Sequence, residues 1–133
     1  MENIKDVNII KIKRVREQPN EEDGFRILVD RLWPVGMTKE KAKLDVWLKE
    51  IGPSDGLRKW FSHDIENWEE FKKRYLEELK DKDEFVNIII NKLKDGTVTL
   101  LFGSKETKYN NAVVLKEYIE SKMTIEDTKS NEN

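Results

Sequence analysis

Cysteine is absent from this chain of 133 residues, and its absence removes several classes of site. Without thiols the chain has no disulfides, no thiolate metal centre and no cysteine nucleophile. The single histidine, His63, cannot build a histidine-rich zinc site, and no carboxylates stand at a recognised metal-ligand spacing. We therefore expect no metal ion.

Long apolar runs and an excess of one charge are missing as well. No stretch approaches the roughly 20 apolar residues of a membrane-spanning helix, and residues 1–6 lack the apolar segment of a signal peptide. The 25 Lys and Arg residues nearly balance the 27 Asp and Glu residues. With a net charge of -2 and a pI of about 5.6, nucleic acid binding by bulk charge is not favoured, although a local basic cleft stays open. We expect a soluble, cytoplasmic protein that does not bind membranes, and the oligomeric state stays open.

The fingerprints of several common enzyme classes are missing too. The chain contains neither of the glycine-rich patterns GxxxxGK[ST] and GxGxxG, which cradle nucleotide phosphates, and it has no GxSxG nucleophile elbow. These absences leave serine hydrolysis without support and give no reason to expect a cofactor. Whether the chain is an enzyme stays open.

Strand-like and helix-like segments alternate along the chain. Apolar and basic residues alternate within residues 9–15, and the short apolar runs at 25–29 and 97–102 are typical of buried strands. Apolar residues at helical spacing predict helices for the segments between and after these runs. The predicted helices begin at the capping residues Thr38, Ser54 and Asp64, then cover about 84–94 and 110–123.

Strands separated by helices pair in parallel through right-handed crossovers. We therefore predict a single α/β domain over residues 1–123, with a small, mostly parallel sheet and helices on both faces. Residues 124–133 are polar and have nothing to bury, so we predict a disordered tail.

Two ionisable residues, Asp30 and Arg31, follow the second predicted strand directly, with Trp33 and a turn after them. Ligands of parallel sheets bind beyond the carboxyl ends of the strands. There, the Arg31 guanidinium can bind a phosphate or carboxylate through two hydrogen bonds, and Asp30 can orient the guanidinium or act as a base. Alternatively, Asp30 and Arg31 form an ion pair that only fastens the loop, and Trp33 fills the core.

A second strand end offers another candidate. The strand at 97–102 is followed by Gly103, and Asn110 or Asn111 opens the next helix, a geometry that presents backbone N–H groups to an anion. Lys105 and Lys108 add positive charge to the connecting loop. The alternative is an ordinary turn in which an asparagine caps the helix.

Basic and aromatic side chains interleave in the segment 57–63, where Arg58 and His63 stand beside Trp60 and Phe61. Such interleaving suits a surface on which bases stack, although aromatic residues at this spacing also suit a core. His63 is a candidate general acid or base, with Asp64 as its orienter, or else a capping or packing residue.

Together these segments resemble the domain-of-unknown-function family 488, in its YeaO-like branch. The likeness covers about residues 7–120. It implies a small α/β fold in which these polar residues recur, and the family's biochemical activity is unassigned. The matching stretches are Asp30-Arg31-Leu32-Trp33-Pro34, Trp47-Leu48-Lys49-Glu50, Pro53-Ser54, Leu57-Arg58-Lys59-Trp60-Phe61, His63-Asp64, and Asn110 with Ala112-Val113-Val114-Leu115.

The chain departs from the family pattern at three positions. The resemblance implies an arginine after Trp-Pro, a histidine before Ala112 and a proline after Asp64, where this chain has Val35, Asn111 and Ile65. If the missing arginine and histidine serve catalysis, this member has lost or altered it, and if they are peripheral contacts, binding survives.

These patterns lead to one main hypothesis, a site for a small phosphate-bearing anion at the carboxyl edge of the sheet. Its candidate binding residues are Arg31, Trp33, Arg58 and Asn110, and Asp30 and His63 are the catalytic candidates if a reaction follows.

The alternative hypothesis is a module that binds a protein or nucleic acid through a tryptophan and arginine surface. It requires Trp33, Trp60 and Phe61 to lie exposed in one contiguous patch.

Overall fold

The computed structural model contains a sheet in which neighbouring strands are all parallel. The structure describes residues 9–62 and 64–131, so His63 falls outside the described part. The small parallel α/β fold predicted from the sequence is confirmed. The strands are β1 (Ile10–Arg14), β2 (Phe25–Leu28), β3 (Val46–Trp47) and β4 (Val98–Phe102). They lie in the order β1-β4-β2-β3 across the sheet. The helices are α1 (Lys39–Ala42), α2 (Asp55–Phe61), α3 (Trp68–Leu79), α4 (Asp83–Leu93) and α5 (Asn111–Asn131).

Strand β4 is the buried centre of the sheet. It pairs with β1 on one side and with β2 on the other, so that Ile12, Leu100 and Ile27 lie in one row across the sheet. All its residues are buried, which explains why its sequence is a nearly unbroken apolar run rather than an alternating one.

The two faces of the sheet are covered unequally. Ile27, Leu100 and Phe102 pack with residues of α2, α3, α4 and α5 in the larger core. The opposite face carries Leu28 and Leu101, which pack in a smaller cluster with α1 and with the segments on either side of it.

Within the described residues, no helix combines the length and apolar character that a bilayer span requires.

The predicted helix after Thr38 is much shorter than its apolar spacing indicates. Thr38 does cap a helix, accepting a hydrogen bond from the Lys41 backbone N–H at 3.1 Å. The helix ends at Ala42 because Lys43 adopts a left-handed backbone with φ of 47°, and the buried Arg26 guanidinium takes the carbonyls of Ala42 and Lys43. The chain then forms β3 beside β2, so the prediction of one helix through residue 51 was wrong.

Helix α5 is longer than the sequence predicted. It begins one residue after Asn110 and continues to Asn131, through most of the segment for which we predicted disorder. Residues 111–131 contain no glycine or proline, and without such a stop signal the helical backbone hydrogen bonds continue past Met123.

An ionic network lies buried between the loop before β2 and the sheet. The Asp23 carboxylate binds Arg26 at 2.6 Å and Lys13 at 3.0 Å, and both Asp23 and Arg26 are 5% exposed. Burial acts to raise the pKa of Asp23, but hydrogen bonds from Lys13, the Asn20 backbone and Arg26 outweigh it, so the pKa is lowered. The carboxylate therefore stays ionised and balances the buried guanidinium.

Replacing this carboxylate (Asp23→Asn) should lower the free energy of unfolding by about 3 kcal/mol near neutral pH, because Arg26 keeps its charge without compensation. The contribution of Asp23 is complete above its ordinary pKa of 3.8 and is lost as pH falls through the lowered value. Urea unfolding at several pH values should show the two proteins converging in strong acid.

Asp81→Asn serves as the matched control, because Asp81 is exposed and its substitution should change stability by less than about 0.5 kcal/mol. An equal loss in both variants would contradict a special role for Asp23.

Candidate functional site

A cavity of about 430 Å³ opens beyond the carboxyl ends of β2 and β4. It is bounded by the loop after β2, the segment that enters α2, part of α3 and the start of α5. Its polar lining is Arg16, Asp30, Arg31, Arg58, Ser104, Asn110 and Asn111, and its remaining lining is Leu32, Trp33, Pro34, Val35, Pro53, Phe61, Phe71 and Gly103.

Asp30 joins the elements that form this cavity. One carboxylate oxygen accepts a hydrogen bond from the Gly103 backbone N–H at 2.8 Å, and the other accepts from the Asn111 amide at 3.1 Å. Its backbone carbonyl accepts from the indole of Trp47 at 2.8 Å. Asp30 therefore ties the end of β2 to the end of β4, to the start of α5 and to β3.

Arg31 is held by backbone carbonyls. Its Nε donates to the Pro53 carbonyl at 2.8 Å and its Nη2 to the Gly52 carbonyl at 2.9 Å. Ser54 is fixed in turn, because the Glu78 carboxylate accepts from its backbone N–H and from its hydroxyl. The guanidinium of Arg31 thus fastens the segment leading into α2 and keeps its charge at the cavity wall.

Arg31 shares the Gly52 carbonyl with a second cation. Lys82 Nζ lies 3.2 Å from that oxygen. Burial lowers the pKa of Lys82, and the charge of Arg31 lowers it further. Tyr75, which is fully buried, donates to the Ile51 carbonyl at 2.7 Å, and burial raises its pKa. Three side-chain donors therefore converge on the backbone at 51–53.

The guanidinium of Arg58 makes weaker polar contacts than that of Arg31. Its Nη2 stands 3.5 Å from a carboxylate oxygen of Asp55, and its side chain is 39% exposed. Its Nε is buried and has no hydrogen-bond partner within the part of the chain that the structure describes. A buried N–H without an acceptor costs about 1–3 kcal/mol.

Asn110 caps the N-terminus of helix α5, which was the alternative to an anion-binding role at this position. Its side-chain oxygen accepts from the Val113 backbone N–H at 3.1 Å, and its amide donates to the Glu106 carbonyl at 2.8 Å. The side chain is buried at the cavity wall, where it sets the direction of α5.

Trp33 and Arg16 shape the outer part of the cavity. The Trp33 indole donates to the Met37 carbonyl at 2.7 Å and meets Trp47 edge to face at 5.4 Å. Arg16 donates to the carbonyl of Val35. Arg16 was not among the site residues predicted from the sequence. It lies two residues after the end of β1, and ligands of parallel sheets bind beyond strand ends, so its position could have indicated it.

The structure brings together five of the six predicted site residues, and His63 lies outside the described residues. Those around the one cavity are Asp30, Arg31, Trp33, Arg58 and Asn110.

The loop lysines and the proposed aromatic patch are arranged differently. Lys105 and Lys108 are exposed and do not line the cavity. Trp33, Trp60 and Phe61 do not form one exposed surface, because Phe61 is only 4% exposed. Trp60 is exposed and lies under the Arg74 guanidinium, 4.3 Å from the ring centre. Within the described chain no three carboxylate or imidazole groups converge as metal ligands would.

Comparison with known proteins gives one consistent result. A family model described as the inactive DUF488-N3 subclade matches residues 9–133. The uncharacterized protein YeaO of Escherichia coli K12 is 40% identical over 112 residues, which are 84% of this chain and 97% of YeaO. The uncharacterized protein Rv3073c of Mycobacterium tuberculosis H37Rv is 43% identical over 72 residues, which are 54% of this chain and 61% of that protein. No solved structure matches.

The close approach of Gly52 to the loop after β2 yields a prediction. A Cβ at this position would lie 2.6 Å from the backbone nitrogen of Arg31 and 3.1 Å from the carbonyl carbon of Asp30. Gly52→Ala should therefore lower the free energy of unfolding by about 1–3 kcal/mol, the usual cost of overpacking, as measured by urea denaturation.

Gly56→Ala is the matched control, because Gly56 lies within α2 and a Cβ there meets nothing within 4 Å. It should raise stability by about 0.5–1 kcal/mol. If the two alanine variants were equally stable, the contact at Gly52 would not constrain the site.

Proposed function

The chain belongs to the DUF488 family, in the subclade described as inactive, and from this premise we propose that it binds a small phosphate-bearing anion in the cavity without transforming it. The observation that carries the proposal is the charge of the cavity wall. Among the described residues, three arginines line it, Arg16, Arg31 and Arg58, against one carboxylate, that of Asp30. Guanidinium groups hold phosphates through paired, charge-assisted hydrogen bonds.

Arg58 is the guanidinium best suited to the anion. Its buried Nε–H has no partner among the described residues, and its contact to Asp55 is long. A phosphate that meets the exposed part of this guanidinium gains an ionic attraction, and a small shift of the side chain brings the unpaired donor to a phosphate oxygen. Arg31 contributes charge from a fixed position, because two backbone carbonyls hold its side chain.

The contacts of Asp30 support binding without chemistry. Its carboxylate accepts hydrogen bonds from Gly103 and Asn111, which are structural donors at the strand and helix ends. A general base must reach the proton that it removes, whereas this carboxylate is committed to holding the cavity together. The description of the subclade as inactive agrees with this division of roles.

Isothermal titration calorimetry with inorganic phosphate and a panel of phosphorylated metabolites and nucleotides tests the proposal. We expect binding that weakens as salt is added, and an affinity at least tenfold lower in Arg58→Ala, because a hydrogen bond to a charged group is lost. Arg58→Lys should recover part of the affinity, since it restores the charge but not the fork of donors.

Arg74→Ala is the control for this series. Arg74 is an exposed arginine on α3 that pairs with Glu70 outside the cavity, so its loss should leave affinity unchanged. The proposal is wrong if no phosphorylated compound binds, or if Arg58→Ala binds as tightly as the unaltered chain.

A further inference from the structure

We infer that the ligand is an organic phosphate with an aromatic body, and that the loop after β2 recognises that body. This inference rests on the proposed function and names its ligand class. The observation behind it is that the cavity joins its three arginines to a nearly continuous apolar wall, residues 32–35, with Phe61 and Phe71 deeper inside.

The apolar rim is unusually open to water. Leu32 is 53% exposed and Val35 is 87% exposed, and both line the cavity mouth. Two exposed aliphatic side chains on the same loop leave apolar area that a ligand's body can cover. Covering such area is favourable in proportion to its size.

Cationic and apolar groups alternate around the cavity. Arg16 donates to the carbonyl of Val35 and so places its charge beside the rim. Arg58 and Phe61 stand three residues apart on α2, which puts them on the same side of that helix. A ligand that contacts either pair therefore meets a positive charge and an apolar surface together.

The shape of the wall favours an aromatic body over an aliphatic one. The Trp33 ring is immobilised by its hydrogen bond to Met37 and by its edge-to-face contact with Trp47. Trp33 lines the cavity and is partly buried, and an immobilised indole packs against a flat ring without further loss of side-chain freedom. The volume of about 430 Å³ falls within the range of pockets for drug-sized molecules, so a bare phosphate leaves most of it unfilled.

Calorimetry with three probes tests the inference, namely inorganic phosphate, methyl phosphate and phenyl phosphate. Methyl and phenyl phosphate carry the same charged group and differ in the body. We expect phenyl phosphate to bind at least tenfold more tightly than methyl phosphate. The double variant Leu32→Ser, Val35→Ser should weaken phenyl phosphate at least threefold and leave methyl phosphate unchanged.

Ile65→Ser is the matched control, because Ile65 is as exposed as Leu32, at 53%, and lies outside the cavity. It should alter neither affinity. Equal binding of methyl and phenyl phosphate overturns the aromatic class while the proposed anion site stands. An unchanged phenyl phosphate affinity in the double variant overturns the role of the rim. If none of the three probes binds and the wider panel also fails, the proposed function itself is overturned.

Discussion

The carboxylate of Asp30 is the group on which the candidate site depends, because the ends of separate elements meet through it. A parallel sheet brings strand ends to one edge but does not fix the loops that leave them. Here the Gly103 N–H and the Asn111 amide both donate to this one side chain, so that the ends of β2 and β4 and the start of α5 keep a set separation. Gly103 leaves just enough room, since a Cβ there would stand 3.2 Å from the carboxylate. The cavity is the space that this arrangement keeps open.

The same arrangement divides the arginines into two kinds. Arg31 donates two hydrogen bonds to the backbone carbonyls of residues 52–53. It therefore stabilises the loop structure and also lines the cavity. Arg58 has one long contact, and its Nε finds no partner in the described residues. If an anion binds as proposed, the fixed position of Arg31 requires little reorganisation, because its charge is already in place. The second cation supplies donors that the scaffold does not use. In the proposed function, Arg31 therefore contributes mainly its charge, and Arg58 contributes both charge and hydrogen-bond donors.

The sequence predicted the parallel fold and most of the candidate site for a common reason. Strands alternating with helices force parallel pairing, and parallel pairing brings the residues after each strand to one edge, which is how Asp30, Arg31 and Asn110 were found. The short strand β3 was missed because long-range contacts decide it. The apolar spacing from Leu44 to Ile51 fits a helix locally, but the buried guanidinium of Arg26 takes the carbonyls at 42–43 and ends the helix. The spacing of apolar residues along residues 44–51 cannot indicate that Arg26, on strand β2, ends the helix before them.

Two departures from the family pattern bear on the proposed binding without reaction. The resemblance implies a histidine where this chain has Asn111, and the asparagine amide donates to Asp30 and to the Val29 carbonyl. An amide makes such bonds as an imidazole N–H does, but it does not titrate near neutral pH and so cannot pass a proton. At the rim, Val35 replaces the implied arginine, yet three other arginines still line the cavity. Replacing a titratable side chain while the cavity stays cationic agrees with the proposed binding without reaction.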